Sequence, residues 1–582
     1  MAHVEAGEGE RAKQELRRAF TRSPNDAKLA GALAHVHGQL GENDQAALFI
    51  ERAATLAPDE MPPQWEAADF LHRLRRFKPA AKFYERCLKL NPRELAASEG
   101  LARCRLEFGD EAGMTRAYEA AIHASPERPQ SYWIYMRALQ TLGRIEAALE
   151  VLDRGLTRLP NDKDLTEFVC SLTQFSDRFA APAAQPKILA QHRALGAMIA
   201  PGGDRPARKF SNTPNPERPL RVGLLSGDYC FHACAFFLVP LVRGLDKARC
   251  TPVLFGTNPP DETTRNFARL AAYHDVSAIS DDDLAAQVQL EGIDVLIECN
   301  GWTDRHRLPA LAKRLAPVQA TYLGYPNTTG VDAIDWRIVD TITDPAHADA
   351  WASERLLRLD GCFVCYGAPS TPSAEVQRPP LAGRPVVFGS FNRLAKVTDI
   401  TLGLWAKVLA KTPNSRLVLK SETYDLSRAE TIRRFHALGG DPARISFAPF
   451  EPDPARHLAT YHTLDIALDT SPYNGTTTTC EALTMGVPVV TLAGAAHRSR
   501  VGASLLKAAG LDELVANTPE QYVHIASELA HNSERLGHLH ATLAQSTLAS
   551  PLCQGPAFAT RFEAGIRTVW RHWCDAQTKG AS

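Results

Sequence analysis

The sequence predicts an array of paired helices followed by two doubly wound α/β domains. Three observations carry the prediction. Pro24, Pro58, Pro92, Pro126 and Pro160 recur every 34 residues (58 − 24, 92 − 58, 126 − 92, 160 − 126). From Leu220 onward, short apolar runs alternate with helical patterns, the arrangement of a parallel sheet covered by helices. Between Leu468 and Leu483 a strand, a turn containing Pro472, Asn474 and Gly475, and a helix opened by Thr476–Thr479 follow one another. Such a helix start leaves unpaired N–H groups and the positive end of the helix dipole facing outward, so the stretch reads as an anion site.

At 582 residues the chain has room for three or four domains. Hydrophobic residues make up 45% and charged residues 23%, which excludes a disordered chain. A net charge of −1 gives no electrostatic case for nucleic acid or an anionic membrane as partner. Twelve cysteines are scattered, mostly in apolar stretches, which suits reduced thiols in a cytoplasm. Cys362 and Cys365 share the spacing of a redox or metal pair, but with no second pair or nearby histidine they read as strand residues. The N-terminus shows no secretory pattern, and no apolar run is long enough to span a membrane.

The repeats come first. Five residues before each proline stands a small residue (Ala19, Ala53, Cys87, Ala121, Gly155), and twelve before stand Ala12, Ala46, Ala80, Met114 and Ala148. Seventeen before stand Gly7, Gly41, Arg75, Gly109 and Gly143. In this register glycine makes the turn between two helices, small residues let them approach, and proline ends the second helix. It resembles the tetratricopeptide repeat. Stacked repeats form a concave face that holds a peptide or partner helix; scaffolding or self-association into a homodimer are the roles such an array has without chemistry.

Residues 161–218 read as a helical linker, broken at Pro182, Pro186 and Pro201 and ending in Asn212-Thr-Pro-Asn-Pro216. A first α/β domain is expected over 219–380. Its strands end at Ser226, before Gly227-Asp-Tyr-Cys-Phe-His232, at Cys299, before Asn300-Gly-Trp-Thr303, and near Gly324, before Tyr325-Pro-Asn-Thr-Thr-Gly330. Ligands of such sheets bind past the carboxyl ends of the strands. A second domain is expected over 381–555. Pro385–Asn392 leads into Arg393-Leu-Ala-Lys396, and Arg456-His457 lies on a helix before the Leu468–Leu483 stretch. Residues 556–582 form a final amphipathic helix that returns to the first α/β domain. Asp281-Asp-Asp283 has the Asp-x-Asp spacing of a metal site but heads a helix, where acids favour the dipole.

Taken together, Ser226–His232, Cys299–Thr303, Leu323–Gly330, Gly389–Lys396 and Pro472–Glu481 resemble the O-GlcNAc transferase/SPINDLY family over nearly the whole chain. The tetra-threonine run, the Asn-Thr-Thr-Gly loop and Ser550–Pro556 place the resemblance closer to the SPINDLY branch, of bacterial type. The resemblance implies a GT-B glycosyltransferase behind the repeats: two Rossmann-like domains with a nucleotide-sugar between them. It further implies inverting transfer to Ser or Thr hydroxyls of proteins, with no cofactor and no obligatory metal.

On the same resemblance, Lys396 meets the donor diphosphate and His232 stands near sugar and acceptor, the two catalytic candidates. A histidine can accept the attacking hydroxyl's proton near neutral pH, though a donor phosphate oxygen competes for that role. Asn474, Gly475, Thr476, Thr477, Thr478 and Thr479 are assigned to the phosphates, Glu481 to a donor hydroxyl, His457 to the nucleobase, Asn392 to the donor lining, and Leu323, Gly324 and Tyr325 to a loop near the sugar. Ala233-Cys234-Ala235 follows His232 without the expected hydroxyl residue, which bears on sugar specificity. UDP-GlcNAc is the first-choice donor, with GDP-fucose next and a CMP-nonulosonic acid for flagellin as the third option. An inactive repeat scaffold is the alternative from another class.

Overall fold

The computed structural model describes residues 9–200, 210–369, 378–381, 383–420, 425–449 and 451–580. The chain divides into two compact units, one holding the repeats through Leu165 and the other beginning at Thr166; a short stretch ending at Glu430 is grouped with the first.

In the first unit the helices come in pairs of 13 and 14 residues: Ala27–Gln39 with Asn43–Leu56, Met61–Arg73 with Phe77–Leu90, Leu95–Glu107 with Glu111–Ala124, and Pro129–Thr141 with Ile145–Arg158. Helix Gly9–Arg22 precedes them. The second helix of each pair is capped by the residue before the recurrent proline: Ala57, Asn91, Ser125 and Leu159. A residue preceding proline is pushed out of the α region, so the helix stops there. Ala46, Ala53, Ala80, Cys87, Met114, Ala121 and Ala148 are all buried. The turn glycines Gly41, Gly109 and Gly143 have φ of 75°, 78° and 73°.

Arg75 occupies the same turn position and is forced to φ 58°. A side chain in the left-handed region costs about 1–2 kcal/mol, while glycine there adds back about 0.4–1 kcal/mol of unfolded-state entropy. Arg75→Gly is therefore expected to raise the stability of the repeat unit by about 0.5–1 kcal/mol, read as a higher urea midpoint.

The second unit contains two parallel sheets. The first is ordered β3-β2-β1-β4-β5-β6-β7, with β1 Leu220–Ser226, β2 Cys250–Gly256, β3 Ala272–Asp275, β4 Val295–Glu298, β5 Val318–Thr321, β6 Trp336–Asp340 and β7 Arg355–Leu359. The second is ordered β10-β9-β8-β11-β12-β13, with β8 Val387–Ser390, β9 Arg416–Lys420, β10 Ile445–Ala448, β11 Ile466–Leu468, β12 Val489–Leu492 and β13 Val515–Ala516. β4, β5, β11 and β12 are buried along their whole length, which explains their continuous apolar runs: helices cover both faces of a parallel sheet. Strand order reverses between β1 and β4 in one sheet and between β8 and β11 in the other, the places where such sheets open a crevice.

Both sheets use the same device at the opposite end of that reversal. Asp294, just before β4, accepts the Arg221 N–H at 2.9 Å and pairs with both terminal nitrogens of Arg218. Asp465, just before β11, accepts the Val387 N–H at 2.8 Å and pairs with both terminal nitrogens of Arg384 at 2.7 Å. Each carboxylate thus fixes the register between neighbouring strands from a nearly buried position.

The stretch after the repeats packs within the second unit. In helix Gln185–Ile199, Gly196 lies where a Cβ would stand 2.0 Å from the Gly330 carbonyl oxygen. Gly330 itself has φ 72°, and its own Cβ would meet the His192 carbonyl oxygen at 2.0 Å. The Asn-Thr-Thr-Gly330 loop is therefore a packing element: Thr328 donates to Glu354 Oε2 at 2.6 Å, and Glu354 Oε1 accepts the Thr329 N–H at 2.7 Å. The last helix, Gly555–Gly580, lies against the first sheet domain. Its Trp570 donates to the Asn215 carbonyl at 3.0 Å, and Phe562 meets the Tyr322 ring edge-on at 5.4 Å. Asp281–Asp283 form the first turn of helix Asp281–Leu290, whose cap is Ser280; Asp281 and Asp282 pair with Arg307 and Lys313.

Candidate active site

The residues singled out in the sequence gather at the two reversal points. After β11, Asp469 organises the turn. Its Oδ1 accepts the N–H groups of Gly475 at 2.7 Å and Thr470 at 2.9 Å, and its Oδ2 accepts the Thr491 hydroxyl at 2.7 Å. Asn474 is wholly buried; its amide donates to the Thr470 carbonyl at 2.7 Å, its Oδ1 accepts the Gly502 N–H at 3.2 Å, and its own N–H donates to the Arg498 carbonyl at 2.9 Å. Its side chain is thus committed to holding the turn. At Gly475 a Cβ would stand 2.4 Å from the Thr478 hydroxyl and 3.0 Å from Asn392 Oδ1, so only glycine lets the backbone pass.

Helix Thr477–Thr484 opens directly from this turn. Its four threonines differ. Thr479 is buried and donates to the Gly475 carbonyl at 3.2 Å; Thr478 donates to Asn392 Oδ1 at 3.0 Å. The Thr476 and Thr477 residues are partly exposed, and their hydroxyls make no hydrogen bond among the described residues.

Lys396, beyond β8, crosses to the turn: Nζ donates to the Asn474 carbonyl at 2.9 Å and lies 3.8 Å from the centre of the Tyr473 ring. Its side chain is partly accessible but enclosed by protein. Burial pulls its ammonium down to about 8; nearby Asp469 opposes the fall and Arg393 adds to it. Asp469 moves the other way: burial raises its carboxyl to about 6 against its hydrogen bonds and the pull of Lys396. At neutral pH the pair is charged, a cation held at a helix start and balanced from behind.

A second group forms beside it. Tyr461 donates to Glu481 Oε2 at 2.8 Å, His457 Nε2 lies 3.3 Å from that same oxygen, and Lys420 Nζ lies 3.3 Å from His457 Nδ1. A carboxylate, an imidazole and an ammonium at the ends of adjoining elements can bind ribose hydroxyls and a base carbonyl.

On the first sheet, His232 follows β1 with its side chain 47% exposed, enough for an incoming hydroxyl to reach it. Its Nδ1 lies 3.2 Å from Asp228 Oδ1 and 3.3 Å from the Cys234 N–H. Leu323 adopts φ 72°, strained for a leucine, and Gly324 lies where a Cβ would meet the Cys299 carbonyl oxygen at 2.1 Å. This loop is pressed onto the end of β4.

Tyr325 points elsewhere. It is buried with its hydroxyl 2.7 Å from His192 Nε2, 2.9 Å from the Cys170 carbonyl, and accepting from Gln174 at 3.0 Å. Its side chain ties the sheet to the preceding helices. Burial holds the His192 imidazole at about 4, below its ordinary 6.5. The unfolded chain then binds a proton that the folded one refuses, so stability rises with pH between about 4 and 6.5. His192→Gln should lack this component, a difference on the order of 2–3 kcal/mol in the pH dependence of unfolding.

Sequence reasoning left Asp469, Tyr461, Tyr473, Lys420 and Arg498 without roles at this site. Asp469 ends a strand next to the turn and Tyr473 lies inside it, so proximity was a usable signal. Lys420 and Arg498 are distant in sequence and carry no local signal.

Two Rossmann-like sheets, one with a threonine-rich helix start and a half-buried lysine at its reversal point, form the fold of a GT-B glycosyltransferase. Comparison with known proteins agrees. The model of glycosyl transferase family 41 matches residues 186–367 and 374–562, and the chain belongs to that family. A tetratricopeptide-repeat model matches residues 27–60, and a bacterial transcriptional activator domain model matches 65–165, within the helical array.

Among relatives, the probable UDP-N-acetylglucosamine–peptide N-acetylglucosaminyltransferase SPINDLY of Arabidopsis thaliana is 37% identical over 380 residues, covering 63% of this chain and 41% of that protein. The probable enzyme SEC of the same plant is 29% identical over 371 residues, covering 62% and 38%. The aligned part thus spans about two fifths of these relatives' length. A solved structure of a Thermobaculum terrenum O-GlcNAc transferase point mutant superposes with TM-score 0.76 at 29% identity, covering 89% of this chain and 98% of that one. Among the described residues no helix is long and apolar enough to cross a membrane.

Proposed function

We propose that this chain is an inverting protein O-glycosyltransferase that moves a sugar, first of all GlcNAc from UDP-GlcNAc, onto Ser or Thr hydroxyls of proteins held by the repeats. The observation that carries the proposal is Lys396 Nζ fixed 2.9 Å from the Asn474 carbonyl at the mouth of the threonine-rich helix start. As the glycosidic bond breaks, negative charge gathers on the departing diphosphate. An ammonium, helix N-terminal amides and the Thr476 and Thr477 hydroxyls are placed to hold that charge where it develops.

The acceptor oxygen attacks the anomeric carbon opposite the diphosphate, and its proton goes to His232 or to a phosphate oxygen of the donor. Glu481 and His457 hold the nucleoside, Asn392 lines the donor through its contact with Thr478, and Leu323–Gly324 approach the sugar. The names of the relatives support UDP-GlcNAc, and the helical array supports a polypeptide acceptor.

Thermal unfolding with UDP, GDP and CMP at equal, high concentration tests the donor. A ligand at about 100 times its dissociation constant stabilises by roughly 2.7 kcal/mol. A shift with UDP alone supports the first choice. A shift with GDP or CMP alone replaces it with fucose or a nonulosonic acid, and no shift with any of them supports an inactive scaffold.

A further inference from the structure

Among the described residues, one group of three metal-ligating side chains comes together: Asp228, His232 and Cys234, whose ligand atoms all lie within 4.8 Å of one another. They supply one carboxylate, one imidazole and one thiol, the three ligand types that zinc accepts. The placement follows from the turn after β1. Asp228 Oδ1 lies 3.2 Å from His232 Nδ1, about the separation of two ligands on one tetrahedral ion with bonds of roughly 2.0 Å. Cys234 is the residue that caps helix Ala235–Gly244, which sets its thiol within 4.8 Å of the Asp228 carboxylate. The Cys234 N–H approaches His232 Nδ1 at 3.3 Å, a long contact that a cation on that nitrogen would replace.

We propose that Asp228, His232 and Cys234 form a binding site for a thiophilic divalent cation such as Zn2+, and that the bound ion slows the enzyme by occupying His232. Binding exchanges three water ligands of the ion for Asp228 oxygen, His232 Nδ1 and Cys234 sulfur, and the thiol proton passes to solvent. One aspartate and one thiolate balance the ion's two charges. Three protein ligands leave a fourth position for water, and the half-exposed imidazole leaves a path for entry. A cation on Nδ1 withdraws electron density from the ring, so Nε2 becomes a poorer proton acceptor. That second half rests on the function proposed above; the binding site does not.

Cobalt(II) is the probe, because a thiolate ligand gives it an intense charge-transfer absorption. Full-length protein freed of metal by chelation and titrated with cobalt should bind one equivalent with that absorption, and Zn2+ should displace it. Cys234→Ser should abolish the band while leaving the thermal melt in place. His232→Ala should weaken binding by more than the roughly 10–100-fold typical of losing an outer hydrogen-bond partner. No band, or a band that survives Cys234→Ser or is lost instead in Cys230→Ser, overturns the site. Zn2+ should also slow sugar transfer in the wild type and not in Cys234→Ser; an undiminished rate with the site loaded overturns its coupling to His232.

Discussion

Lys396→Ala is expected to lower the rate of sugar transfer by roughly 10²–10³, about 3–4 kcal/mol of lost transition-state stabilisation. Among the described residues, Lys396 is the side chain beyond β8 that donates to the Asn474 carbonyl in the turn after β11. On the function proposed above, the loss should fall on kcat more than on KM, because charge on a departing diphosphate develops in the transition state.

A pH profile separates this role from a merely structural one. With its ammonium pulled down to about 8 by burial, free wild-type enzyme carries the charge at neutral pH and loses it as pH rises. kcat/KM should therefore decline above about pH 8, and Lys396→Arg, whose charge persists, should lack that alkaline limb even if slower. An unchanged transfer rate in Lys396→Ala would remove the lysine from the mechanism.

Asp465→Ala should destabilise the second sheet domain by about 3 kcal/mol or more, because breaking a buried pair leaves its partner uncompensated. The carboxylate is 1% exposed and satisfies both terminal nitrogens of Arg384 and the Val387 N–H. Removing it orphans three donors at the junction of β8 and β11, the strands that present Lys396 and the Asn474 turn. Asp294→Ala, which breaks the matching device before β4, should cost a similar amount in the first sheet domain. Urea unfolding of both variants checks this; a midpoint unmoved in either would show that strand packing alone sets the register there.

Much of the site was legible because it is local. The Leu468–Leu483 strand, turn and helix lie in sixteen consecutive residues, and the turn chemistry of Asn474 and Gly475 is set by backbone sterics that sequence displays. The threonine run was legible as a group but not residue by residue. Packing turns Thr479 inward and ties Thr478 to Asn392, and only Thr476 and Thr477 keep hydroxyls free of protein partners among the described residues. Tyr325 shows the same limit: its motif position suggested a loop by the sugar, while its ring is buried among helices more than a hundred residues earlier in the chain.

What the sequence by itself determined was periodic or local: the 34-residue spacing that ends each second helix before a proline, the apolar runs that require a sheet covered on both faces, and the glycine turn before a hydroxyl-rich helix. These follow from short-range sterics and from hydrophobic patterning, which act wherever the residues stand. Only the tertiary structure decided which distant groups meet: Lys396 with the Asn474 carbonyl, His457 and Lys420 with Glu481, Asp228 with His232 and Cys234. Those contacts depend on strand order and on burial, and burial is also what pulls Lys396 and Asp469 toward neutrality from opposite sides. Neither order nor burial is written in the neighbours of any one residue.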